Sequence, residues 1–177
     1  LEGRYARLEP LAAAHVEGLL AASADPKSFD YLFDVPPKGK EDLLAWIAQK
    51  SRSEDPLFHA VVDRATGFAG GRQTFMRITP EHGVIEIGNI LWGPAIARTR
   101  VATEALFLAA KHVFEDLGYR RFEWKCNNLN EPSKKAAARF GFSFEGVFRQ
   151  HMWVKGANRD TAWFAMIDKD WPKARAG

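Results

Sequence analysis

The chain has 177 residues, 46% of them hydrophobic and 12% aromatic, enough for one packed domain over 1–177 and too much for a disordered polymer. Its net charge of +3 has both signs interspersed, which suits an anionic ligand but leaves no basic footprint for nucleic acid. A single cysteine, Cys126, excludes an internal disulfide and a cysteine-type metal cluster and fits a reducing, cytoplasmic compartment; the apolar runs are too short to span a bilayer, and no secretory leader is read at the start.

Tyr5–Leu8 reads as a first strand, followed by a helix from about Leu11 to Ala22. Asp25–Lys40 carries Pro26, Pro36, Pro37 and Gly39 and reads as a loop. Leu43, Leu44 and Ile47 mark an amphipathic helix over Glu41–Ser51. Phe58–Val62 and Phe68–Met76 read as two strands joined by a turn at Asp63–Gly67.

Val84–Leu91 is apolar at both parities, the pattern of a strand covered on both faces. Beyond a loop with Gly93 and Pro94, the helix Val101–Leu117 aligns Ala102, Ala105, Leu106, Ala109 and Val113 in one stripe and stops at Gly118. Arg121–Asn127 alternates, with Phe122, Trp124 and Cys126 on one side and Glu123 and Lys125 on the other. Strand, helix and strand make a βαβ unit, whose handedness requires the two strands to be parallel. A short helix Glu131–Phe140 ends at Gly141, and the strands Phe142–Arg149 and Asp160–Ile167 follow, connected through a turn at Lys155–Asn158. The expectation is a mixed α/β (α+β) domain of six or seven strands and about four helices.

A helix that starts just after a buried strand presents unpaired backbone N–H groups and a partial positive charge, a ready anion site. Here that turn is Ala97, Arg98, Thr99, Arg100, Val101, Ala102 and Thr103, which adds two guanidinium groups and two hydroxyls. A pyrophosphate fits such a donor set, although many helices begin with basic residues.

Several short motifs in order resemble the GNAT superfamily, most closely its RimJ/RimL-type branch. They are Glu86-Ile-Gly88, Ala102-Thr-Glu-Ala105, Asn130-Glu-Pro-Ser133, Arg139-Phe-Gly-Phe142 and Phe144-Glu-Gly-Val-Phe-Arg149, with Leu1-Glu-Gly-Arg4, Leu8-Glu-Pro-Leu11 and Asp170-Trp171 at the ends. The resemblance implies a mostly antiparallel sheet whose central parallel pair splays apart. Acetyl-CoA is then the cosubstrate, with no metal. Its pantetheine arm would lie against Asn89, Ile90, Leu91 and Trp92, its pyrophosphate on the turn 97–103, and Asn130, Ser133 and Lys134 beside it. The implied reaction moves an acetyl group to a primary amine (a protein N-terminus, a peptide or a small molecule) by direct attack, without a covalent enzyme intermediate. A homodimer is compatible with this branch; a nucleic-acid or membrane partner is not expected.

Two positions depart from the family pattern. Its phosphate loop begins with Gln or Arg and has Gly fourth, where this chain has Ala97 and Arg100; its acid tyrosine is replaced by Ala137. Ser133 is the nearest substitute acid. Glu86 is the first candidate base, a carboxylate sharing strand parity with Val84, Gly88 and Ile90, against the plain alternative of an ion pair with Arg72 or Arg77. His151 is the second, and ordered water a third. Tyr31, Trp92 and His151 are the candidate acceptor-binding residues, with the loops Tyr31–Pro37 and after Phe75 flanking the entrance. Asn130 reads as a helix N-cap as well as a cofactor contact. Glu104 reads as structural, a carboxylate in a first helical turn. The rival is a catalytically silent CoA-binding or regulatory module. A nucleotide-binding domain would need a Gly-rich turn and a ribose-binding acid, neither of which stands out.

Overall fold

In the computed structural model, which describes residues 1–176, seven strands form one sheet in the order β1-β2-β3-β4-β5-β7-β6. The strands are β1 (Ala6–Pro10), β2 (Leu57–Asp63), β3 (Ala69–Thr79), β4 (Val84–Trp92), β5 (Arg121–Asn127), β6 (Ser143–Val154) and β7 (Ala157–Ile167). The helices are α1 (Val16–Ala22), α2 (Lys40–Lys50), α3 (Arg100–Lys111), α4 (Glu131–Arg139) and α5 (Trp171–Ala176). Only β4 and β5 run parallel; every other neighbouring pair is antiparallel. The mixed α/β architecture with a central parallel pair is therefore as expected.

Strand periodicity divides the core into two. Phe58, Ala60 and Val62 of β2 pack with Leu19 of α1 and Leu43 and Ile47 of α2. Val61, between them, points to the other face and joins the cluster built on Ala105, Leu106, Ala109 and Val113 of α3. The predicted stripe of α3 is thus the buried one. That helix is α-helical only to Lys111; the stretch His112–Asp116 widens into a π turn, with the Leu117 N–H bonded to His112 O at 2.9 Å. Gly118, at φ +65°, then stops it as predicted, since the left-handed conformation needs no side chain there.

The last two strands are longer than the sequence indicated. β6 and β7 form a hairpin whose turn is only Lys155-Gly156, both at positive φ, with Val154 opposite Ala157. β6 is an edge strand with little buried surface, so the alternation used to delimit it was weak.

The largest departure lies in β4. Arg72 pairs with Leu91 and Thr74 with Gly88, so β4 carries an extra residue there, and Asn89 takes φ +49°. A bulge exchanges the faces beyond it. Ile85 and Ile87 point into the core, and after the bulge Ile90 and Trp92 do so instead. The expected grouping of Ile90 with Glu86 on one face is overturned for this reason.

Among the described residues no helix is long and apolar enough to cross a membrane.

Candidate active site

β4 and β5 are paired only from Val84–Arg121 to Ile87–Trp124. Beyond that point β4 follows β3 and β5 follows β7, leaving a gap between them. The helices α1 and α2 pack over β2 and β3, and over the gap this face is lined by the segment that carries Lys27, Ser28, Tyr31, Leu32 and Phe33. On the other face stands the N-terminus of α4. The result is a cleft of about 340 Å³ that passes between the strands and joins the two faces, a size suited to a small ligand.

The open-face wall is charged. Glu86, only 4% exposed, accepts a 2.8 Å hydrogen bond from Lys125 Nζ and has Arg77 Nε at 3.4 Å. The alternative of an ion pair with Arg77 is therefore realised together with a place in the cleft lining. Arg72 is elsewhere: it pairs with Asp34 at 2.7 Å and lies over the Trp46 ring at 4.5 Å. Burial holds the Glu86 carboxyl above the usual carboxylate range, against the pull of Lys125 and Arg77. His151 also lines the cleft, with Nδ1 2.9 Å from Thr161 Oγ1. Burial and the cations Arg77, Arg159 and Lys125 keep its pKa below the ordinary value, which favours the neutral imidazole. Arg159, 8% exposed, donates to Thr161 Oγ1 at 3.1 Å and stacks over Phe33.

The α4 side is built by a cap. Asn130 Oδ1 accepts from the Ser133 N–H at 3.1 Å, the N-cap role expected of it. Ser133 Oγ accepts from Trp124 Nε1 at 3.0 Å, which leaves its own hydroxyl hydrogen to donate. Ser133 and Cys126 both line the cleft, and burial pushes the Cys126 thiol up, opposed by the Ser133 hydroxyl. A protonated thiol is a poor nucleophile, in keeping with the packed face predicted for it. Ala137 is fully buried in the core.

Glu86, Asn89, Ile90, Asn130, Ser133, Tyr31 and His151 thus come together around one cleft. Leu91 does not join them; it lines a neighbouring cavity with Trp46 and Arg72. Trp92 does not line the cleft; its ring packs against Phe140, 6.1 Å away between centroids. Lys134 is held by Glu131 at 2.5 Å. Sequence reasoning missed Lys125 and Arg159. The first had a signal: Glu86 and Glu123 are register partners on one sheet face, and two adjacent carboxylates need a cation between them.

At the turn before α3, Thr99 caps the helix, its Oγ1 accepting from the Val101 N–H at 3.2 Å and donating to Ile96 O at 2.7 Å. Arg98 has φ +63°, so the left-handed bend falls there and not at Arg100. Arg100, at the first helical position, stacks its guanidinium on Tyr5 at 4.8 Å. Thr103 Oγ1 donates to Thr99 O at 3.1 Å. Ala97, Val101 and Ala102 complete the turn, Ala102 buried beneath it. Among the described residues no group of three or more His, Cys, Asp or Glu side chains is placed to hold a metal.

Residues 6–143 match the model of the acetyltransferase (GNAT) domain family. A GCN5-related N-acetyltransferase from Brucella melitensis is similar in structure, at 55% identity and TM-score 0.96 over 99% of this chain and 81% of that one. A GNAT-family acetyltransferase from Chromobacterium violaceum is 39% identical, with TM-score 0.89 over 97% and 87% of the two chains. An acetyltransferase from Salmonella typhimurium that modifies the N-terminal serine of ribosomal protein L7/L12 shares the fold at 19% identity, TM-score 0.78, over 93% and 96%. No curated protein matches the chain. On the match across most of its length and the 55% identity to a GNAT structure, the chain belongs to the GNAT acetyltransferase family.

Proposed function

We propose that the chain is an acetyl-CoA-dependent N-acetyltransferase of the RimJ/RimL type, acting on a primary amine by direct attack. The observation that carries this reading is the gap between β4 and β5, with a buried carboxylate on one face and a serine hydroxyl on the other. The parts suit acetyl-CoA: beyond Ile87 the β4 edge facing β5 has no ladder partner, leaving backbone groups free for an extended amide-bearing arm. The turn from Ala97 to Thr103 offers helix-start amides for the pyrophosphate, and Asn130 and Ser133 border the arm. The cosubstrate supplies an activated acyl group on a thiol that leaves readily.

The roles of this chain's residues follow. Glu86, reached from the open face, takes a proton from the incoming ammonium, directly or through one water. A backbone N–H of β4 near Ile90 meets the developing oxyanion. Ser133, its oxygen already engaged by Trp124, gives its hydroxyl hydrogen toward the departing sulfur. Tyr31 and His151 line the acceptor side. The Salmonella enzyme's substrate makes a protein or peptide N-terminus the first acceptor to try. The cytoplasm, where acetyl-CoA and such amines meet, is the proposed location.

The test is thiol release from acetyl-CoA across peptides and small primary amines. Wild type is expected to release thiol only when an amine is present. Ser133→Ala is expected to lower kcat about tenfold with little change in KM. CoA binding without turnover on any acceptor would favour the silent module, and an unchanged kcat in Ser133→Ala would remove the serine from the mechanism.

A further inference from the structure

Lys125 holds two carboxylates at once. Its Nζ lies 2.8 Å from Glu86 Oε2 and 2.7 Å from Glu123 Oε2, with side-chain exposures of 5% for the lysine, 6% for Glu86 and 12% for Glu123. The ammonium also sits 3.9 Å from the centre of the Trp163 ring, so two carboxylates and an aromatic ring surround it. Glu86 and Lys125 line the cleft; Glu123 does not. Behind Glu123 the chain of charges continues to the surface, Arg121 Nε donating to it at 2.7 Å and the rest of that guanidinium forking onto Glu145 at 2.9 and 2.6 Å.

We infer that Glu123 is a positioning residue for Glu86, acting through Lys125: by sharing the ammonium from outside the cleft, it weakens the grip of Lys125 on Glu86 and sets the pH above which Glu86 can serve as base. This rests on the proposed role of Glu86. An unshared lysine at this distance in a buried site would hold the carboxylate ionised and spend its lone pairs, leaving a poor proton acceptor. Glu123 offsets that in two ways, by competing for the same donor and by placing a second negative charge opposite Glu86 in the strand register. The other charged or titratable groups facing Glu86 are Arg77 from β3, and His151 and Arg159 across the cleft from β6 and β7. None of these is shared with a second carboxylate in this way. The directions agree: burial keeps Glu86 above the usual carboxylate range, whereas burial of Glu123 is outweighed by Lys125 and Arg121, which hold it below.

Two readouts test the inference. The first is the carboxyl 13C titration of Glu86, its signal identified by its loss in Glu86→Gln. The second is the acid limb of the pH–rate profile. Glu123→Gln is nearly isosteric and is expected to move the Glu86 midpoint to lower pH, raising the rate on the acid limb about threefold or more. Lys125→Met is expected to move the midpoint the opposite way; should that variant fail to fold, Glu123→Gln decides alone. A Glu86 midpoint in Glu123→Gln that stays at the wild-type value or rises would overturn the inference. A separate failure is recognisable: if Glu86→Gln keeps the acid limb, the base reading falls, and the 13C midpoint still decides whether Glu123 controls the charge on Glu86.

Discussion

Glu86→Gln is expected to lower kcat about a hundredfold at pH 7 and to abolish the acid limb of the pH–rate profile, with the KM for acetyl-CoA little changed. The magnitude is that of a general base removed from an otherwise intact site. The direction in pH follows from the environment of the carboxyl. Burial raises its pKa, so lowering the pH protonates it early and switches the base off, while raising the pH through that pKa restores it. Glutamine keeps the shape and can still accept from Lys125, so the loss is specific to the proton-accepting group. Steady-state thiol release from pH 5 to 9 reads both effects. Wild-type kcat in the variant, with the acid limb in place, would show that Glu86 only neutralises Lys125 and Arg77, and His151 would become the base to examine.

The second large effect is on stability. Glu104, in the first turns of α3, reaches across to the chain start and accepts from the backbone N–H groups of Arg4, Tyr5 and Ala6 at 2.8, 2.5 and 2.6 Å. The fit is close: a Cβ on Gly3 would lie 2.5 Å from the Glu104 carboxyl carbon, so a side chain there would displace it. Removing the carboxylate in Glu104→Ala leaves the part-buried donors of Tyr5 and Ala6 unpaired, while that of Arg4 is exposed and can turn to water. Two part-buried donors lost from a charged acceptor correspond to about 3 kcal/mol. For a chain of this length that is about 6–12 °C in Tm. Glu104→Gln retains one acceptor oxygen and is expected to fall between. A melting temperature within about 2 °C of wild type in Glu104→Ala would refute this account of how β1 is fastened to α3. The sequence marked Glu104 as structural for a different reason, the helix dipole; its reach of about a hundred residues back along the chain left no local trace.

That contrast is general here. Features carried by periodicity were legible: the buried stripe of α3, the alternation of β5 that separates Trp124 and Cys126 from Glu123 and Lys125, and the parallel pair that follows from one helical crossover. Asn130 was legible as a cap because capping is local. The bulge at Asn89 was not, since one extra residue changes no composition and only inverts parity beyond it; the asparagine itself was the faint signal, being tolerant of positive φ. Beyond that inversion the Trp92 ring packs against Phe140. Arg159 was invisible for another reason. It becomes part of the cleft only because β7 lies beside β5, an adjacency set by the order of strands and not by any neighbouring residue.

The chemistry at Glu86, Ser133 and Lys125 presupposes that the cleft between β4 and β5 takes CoA, and calorimetric titration of the protein with CoA and acetyl-CoA tests this most directly. Saturable one-to-one binding with a micromolar Kd is the predicted result, and it would show that the turn with Arg98 left-handed and Arg100 stacked on Tyr5 still receives the phosphates. Absence of binding at millimolar ligand would contradict the account, and would mean that the GNAT fold serves another use in this chain.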